Sequence, residues 1–166
     1  RVPSLRGVKG TEPVGWTGSN DLRTQIRNSV DQTLHGIELT ERQVDAVTEF
    51  VRALPPTPRL TDFEPESVDR DAIDRGAALF QTLECDRCHS GEVKTSPNVY
   101  DIGLSDPIGN RQFNPPSLRG VVHRRNFFHD ARAGALREVM EEYEHPRKLG
   151  LTSAQLDDLC AYLFSL

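Results

Sequence analysis

An all-α fold is predicted for this 166-residue chain, and three observations carry that expectation. Apolar residues recur at helical spacing over several stretches, and no stretch sustains the two-residue alternation of a half-buried strand. Two Thr-x-x-Gln segments, Thr40 to Gln43 and Thr152 to Gln155, stand directly before such stretches as capping boxes. Cys85-Asp86-Arg87-Cys88-His89 places two thiols and an imidazole on a single helical turn.

The bulk numbers narrow the class. Hydrophobic content of 36% and charged content of 27% describe a globular domain with a core of ordinary size. A formal charge of −5, with no basic stripe, argues against nucleic acid as a partner. No apolar run approaches membrane-spanning length. The chain starts at Arg1 without an initiator Met or a leader, as a processed or truncated product would.

An internal repeat organises the elements. Pro3-Ser4-Leu5-Arg6-Gly7-Val8 recurs as Pro116-Ser117-Leu118-Arg119-Gly120-Val121 at an offset of 113 residues, and Thr40 to Leu54 recurs as Thr152 to Leu166 at an offset of 112. Residues 1–54 thus read as the second half of a first copy, 55–66 as a linker and 67–166 as a complete second copy, with the first half of copy one expected upstream. In the first copy, Ser19 or Asn20 is the expected cap of a helix to about Leu34. Thr40 opens a second helix whose inner face is Val44, Val47, Val51 and Leu54. Pro55-Pro56 stops it, since proline lacks the amide and clashes with the preceding turn. Four prolines within 55–66 make that stretch a semi-stiff spacer. Ser67 is the expected cap of the next helix, with Val68, Ala72, Ile73, Gly76, Leu79, Phe80 and Leu83 as its stripe. Gly76 costs helix stability and marks a close crossing. Residues 91–116 are rich in Gly, Pro, Asn and Asp and are expected to be a functional loop. Leu136, Val139, Met140 and Tyr143 mark a short helix ended by Pro146. Leu156, Leu159, Cys160 and Leu163 form the inner face of the last one, where Cys160 behaves as a small buried hydrophobe.

Cys85-x-x-Cys88-His89 is the attachment signature of a covalent c-type haem. Two thiols on one turn add across the porphyrin vinyl groups, and the adjacent imidazole reaches the iron as proximal ligand. A structural zinc site needs a second ligand pair at similar spacing, and Cys160 stands alone. A redox dithiol belongs in a βαβ setting, and no such pattern is visible. Covalent haem attachment outside the cytoplasm makes this a periplasmic or otherwise exported protein.

With Gly76 to Phe80 ahead of Cys-x-x-Cys-His, the two Pro-Ser-Leu-Arg-Gly segments, and Phe127-Phe128-His129-Asp130 before a Leu-x-x-Val helix, the chain resembles the bacterial di-haem cytochrome c peroxidase and MauG family. The resemblance implies two tandem cytochrome c-like domains, of which the second would be complete here and the first present only as its C-terminal half. It assigns the haem on His89 to the second, electron-storing position. It also implies a sixth iron ligand fourteen residues after the Phe-His-Asp histidine, Met in the peroxidases and Tyr in MauG, and that count lands on Tyr143. Tyr143 ranks first as metal ligand beside His89, Met140 second and His129 third, with His123 and His145 also candidates. Tyr143 as a half-buried aromatic and Met140 as core filler are the alternatives. Arg119 is placed on a haem propionate, whose carboxylate its guanidinium fork suits, or stands exposed beside a turn.

Two departures from the family pattern stand out. Ala131 replaces the glycine that usually follows Phe-His-Asp. Arg124-Arg125-Asn126 sits where the family's interdomain calcium site draws on Thr-x-Pro, which argues against calcium there. Three functions compete. The first is an electron-transfer module with a redox protein partner or a second haem-bearing chain. The second is a peroxide-reactive enzyme with His129 as catalytic acid–base group. The third is a haem-bearing docking domain whose first copy is covered by another chain.

Overall fold

The computed structural model describes residues 4–63 and 65–166. Pro3 of the first repeated segment, Glu64 of the linker and the side chain of Ser67 lie outside the described set. The described fold is helical. Its one piece of sheet is a two-stranded ribbon, β1 (Tyr100–Asp101) antiparallel to β2 (Gln112–Phe113), with Tyr100 opposite Phe113.

In the first copy the cap of α1 (Leu22–Asn28) is Asp21, whose carboxylate accepts from the Thr24 amide at 2.6 Å. Neither Ser19 nor Asn20 caps it, because Asn20 is drawn into a β-bridge with Val14. Past Asn28 the chain widens into a π-helical turn over Ser29–Thr33 rather than continuing as α-helix. The capping box forms as expected before α2 (Glu41–Ala53): Gln43 N donates to Thr40 Oγ1 at 3.4 Å, and Thr40 N donates to Gln43 Oε1 at 2.9 Å. Such a cap contributes about 1 kcal/mol. Val44, Thr48 and Val51 are buried, whereas Val47, expected inside, is 39% exposed.

The linker has structure of its own, a single helical turn α3 (Leu60–Phe63) followed by a 3₁₀ turn over Pro65–Ser67. It lies against both copies. A Cβ added at Gly7 would meet Pro56, and one added at Gly120 would meet Thr57. The carbonyl of Pro58 lies 2.9 Å from His123 Nε2, and the ring of Phe63 stands edge-on to His123.

In the second copy Asp69 caps α4 (Arg70–Thr82), accepting from Ala72 N at 3.0 Å. The helix therefore begins two residues beyond the expected Ser67. The principal packing is α4 against α6 (Ser153–Phe164), which opens on the second capping box at Thr152. Gly76 makes this crossing possible: a Cβ there would lie 2.0 Å from the Asp158 carbonyl oxygen and 2.8 Å from Tyr162 Cβ. Phe80 and Tyr162 then meet ring to ring at 5.3 Å. With Val121, Leu136 of the short α5 (Leu136–Glu141), Leu159 and Leu163, Phe80 makes the core.

The sequence repeat returns in the backbone. Gly7 N donates to Leu54 O, and Gly120 N to Leu166 O. The bridge Val14–Asn20 recurs as Phe127–Ala133. Positive φ at Gly15 and Gly18 (85° and 60°) recurs at Phe128 and Ala131 (64° and 61°). The Arg23–Asp45 ion pair between α1 and α2 has its counterpart in Arg137–Asp157 between α5 and α6.

Candidate functional site

Beyond α4 the chain turns through Glu84, a left-handed residue at φ 59°, into a 3₁₀ turn over Cys85–Arg87. Cys88 N and His89 N both donate back to Cys85 O, at 3.3 and 3.0 Å. This one wound turn holds both thiols and the imidazole. The thiols are free and partly exposed. Burial pushes Cys85 up to about 11 and raises Cys88 as well, so both are protonated near neutral pH. A redox dithiol needs the opposite shift, since the thiolate is the reactive form.

His89 is buried, 9% exposed. Its Nδ1 lies 3.3 Å from the Lys94 carbonyl, which also accepts from Leu118 N at 3.2 Å. The carbonyl of Pro116 is a further acceptor for the ring. An Nδ1–H donated to these carbonyls leaves the Nε2 lone pair for a metal, the usual way a ligating histidine is oriented. Burial also lowers the pKa of His89 and keeps it neutral. The repeated Pro-Ser-Leu-Arg-Gly segment thus acts on His89 through its backbone.

The stretch 91–116 folds over the same turn. Tyr100 Oη donates to Arg87 O at 3.1 Å and is 3.1 Å from Ser96 Oγ. Asn114 Nδ2 reaches the carbonyls of Ser96 and Asn98, and Ser117 Oγ donates to Val93 O at 2.6 Å.

The other candidates have engagements of their own. Tyr143 donates its hydroxyl to Arg132 O at 2.8 Å, so this phenol is already hydrogen-bonded to the backbone. Met140 packs against the core cluster as filler. His129 stacks on Phe113 (4.6 Å, 21°) and lies 6.0 Å from the ring of Trp16, an aromatic sandwich between the two copies. Arg119 is half-buried, and among the described residues no carboxylate pairs with it. Glu12, in the Thr-Glu-Pro of the first copy, is engaged by Leu22 N (2.7 Å) and Arg52.

Of the further histidine candidates, His145 stands beside His89. The ring of His145 lies 6.5 Å from that of His89, centroid to centroid, and 72° from its plane. Its Nδ1 is buried without a hydrogen-bond partner.

A paired-thiol turn with an oriented, neutral imidazole fits covalent haem. It does not fit a bare cation: among the described residues no three His, Cys, Asp or Glu side chains converge. No protein-family model matches the sequence, and no curated protein sequence does. Solved structures match the whole fold. A chain of hydrazine synthase from Kuenenia stuttgartiensis superposes with a TM-score of 0.81 at 18% identity, over 98% of this chain and 70% of that one. A MauG-like protein associated with microbial copper homeostasis superposes with a TM-score of 0.76 at 19% identity, over 99% of this chain and 72% of its own. The fold is all-α and of the cytochrome c-like kind seen in MauG-like structures. No helix among the described residues is long and apolar enough to cross a membrane.

Proposed function

We propose that the chain is a c-type cytochrome module carrying one covalent haem on Cys85 and Cys88, with His89 as proximal ligand, and that it transfers electrons. The observation that carries this reading is the Cys85–His89 turn, with both thiols protonated and the His89 Nδ1 held by the Lys94 carbonyl. Bound there, haem supplies a one-electron redox couple.

The chain's own groups do the rest. Cys85 and Cys88 would hold the porphyrin through thioether bonds at its two vinyl groups. The hydrogen bond at Nδ1 fixes the tautomer of His89 and raises the basicity of its other nitrogen. Arg119 supplies a guanidinium for a propionate, a reading supported by its lack of a described carboxylate partner. Phe80, Leu159 and the other core side chains keep the surroundings apolar, which tunes the potential. His129 sits in an aromatic stack with Phe113 and Trp16, an engagement that favours electron transfer over the peroxide-reacting enzyme.

The resemblance and the division into 1–54, 55–66 and 67–166 support a place for this haem as the second of a pair. The partner is then a redox protein or a second haem-bearing chain, and the exposed Val47 and Phe50 of α2 offer it an apolar seat. An exported, periplasmic location follows from the attachment chemistry. The test is expression with haem-attachment machinery, followed by intact mass and a pyridine haemochrome spectrum. One haem per chain, lost in Cys85→Ala/Cys88→Ala, is expected. A colourless chain of bare mass with two free thiols at 85 and 88 overturns the reading.

A further inference from the structure

The geometry points to His145 as the second axial ligand, opposite His89, so that the iron is held between two imidazoles. This rests on the proposed haem site and deepens it.

The spacing of the two rings carries the inference. An imidazole nitrogen sits about 2.0–2.1 Å from a metal it ligates and about 1.1 Å from its ring centre, so two imidazoles on opposite sides of one ion have centroids about 6.3 Å apart. The rings of His89 and His145 are 6.5 Å apart. Two imidazoles hydrogen-bonded directly to each other would stand about 5 Å apart. The observed gap is therefore too wide for a direct hydrogen bond between the rings and of the right width for one metal ion.

The surroundings of His145 hold it in place. Its amide donates to Val139 O at 3.0 Å, tying it to the end of α5, and Phe128 stands edge-on to its ring at 5.8 Å. That phenylalanine also stands edge-on to Tyr143 at 5.4 Å. Tyr143 has its own acceptor in the Arg132 carbonyl, while the His145 ring keeps a buried nitrogen with no partner. An unpaired buried polar atom costs about 1–3 kcal/mol, and a ligand at this ring would relieve that cost. Tyr143, which the family resemblance pointed to as ligand, and Met140, ranked after it, are left as a hydrogen-bonded phenol and a core side chain.

The angle gives the inference a spectroscopic signature. Near-perpendicular imidazole planes leave two iron d orbitals almost degenerate, so the ferric protein should give a strongly anisotropic low-spin electron paramagnetic resonance signal. The experiment compares wild type, His145→Ala, Tyr143→Phe and Met140→Leu, each checked for covalent haem by mass. Low-spin wild type, conversion to high spin in His145→Ala, and unchanged spectra in Tyr143→Phe and Met140→Leu are expected. A thioether or phenolate charge-transfer band in the wild type, or a spectrum altered by Tyr143→Phe or Met140→Leu, overturns His145 as ligand while leaving the haem reading intact. Absence of haem from the wild type overturns both.

Discussion

The two copies share a scaffold and differ in what lies on it. Each has a glycine amide tied to the end of its last helix, Gly7 to Leu54 and Gly120 to Leu166. Each has the same small bridge, the same capping box and the same arginine–aspartate tie across a helix corner. Among the described residues, α4 packs against the second copy's last helix. On α6 the positions that meet α4 include Asp158, Leu159 and Tyr162; on α2 the matching residues are Ala46, Val47 and Phe50, and Phe50 is 66% exposed. Hydrogen-bonded turns and caps are therefore common to both copies, while the apolar burial of α6 comes from α4. The same helix delivers Cys85, Cys88 and His89, so packing and the proposed chemistry enter together.

Breaking the α4–α6 crossing has the largest expected effect. Gly76→Val places side-chain atoms where a Cβ alone would be 2.0 Å from the Asp158 carbonyl oxygen. It should cost about 3 kcal/mol or more and remove the cooperative unfolding transition of the second copy. A near-native denaturant midpoint would show that the helices do not meet at this glycine.

A matched pair sharpens the contrast. Leu159→Ala, at a residue 1% exposed, should cost about 3–5 kcal/mol. Its counterpart Val47→Ala, 39% exposed, should cost less than about 1 kcal/mol. Equal costs, measured by urea denaturation, would mean that the α2 face is covered in solution.

At one position inside the bridged turns the copies differ by a single methyl group. Ala131 holds φ 61° where the first copy has Gly18 at 60°. Ala131→Gly should stabilise by about 1 kcal/mol, and Gly18→Ala, whose Cβ would approach Asn114 Cβ to 3.0 Å, should destabilise by at least as much. Thermal midpoints of both variants check this.

The smallest effect concerns acid. Glu41 is held at about 2, well below its ordinary 4.5, chiefly by hydrogen bonds from Arg23 and Arg27. A carboxylate with a depressed folded pKa contributes stability above its unfolded value and loses it as pH falls, here between about 4.5 and 2. The second copy has Ser153 at this position, accepting from Arg137 at 2.9 Å. Glu41→Ser should therefore flatten the pH dependence of the urea midpoint across that window.

Much of this was legible in the sequence because it depends on neighbours a few residues apart. Both capping boxes, the stop at Pro55, the Gly76 crossing and the helical character needed only local pattern. The cap of α1 was misplaced because Asn20 has a better use in the bridge with Val14, a tertiary contact that composition does not reveal. Val47 was assigned to the core because spacing marks a face without saying whether anything covers it. Among candidate ligands, a fourteen-residue count favoured Tyr143. The path of the chain after α5, with Glu144 at φ 47°, brings the ring of His145 to 6.5 Å from that of His89, a tertiary placement that such a count does not reveal.

The glycine turns have a consequence for the spacing of the copies. Pro56 occupies the space in front of Gly7, and the next residue, Thr57, occupies the space in front of Gly120. A single peptide unit, about 3.8 Å from Cα to Cα, thus meters the separation of the two repeats. Inserting one residue between 56 and 57 leaves the composition of the spacer almost unchanged, yet only one of the two hollows can then be plugged at a time. The spacer acts as a gauge, and its length rather than its stiffness keeps the halves in register.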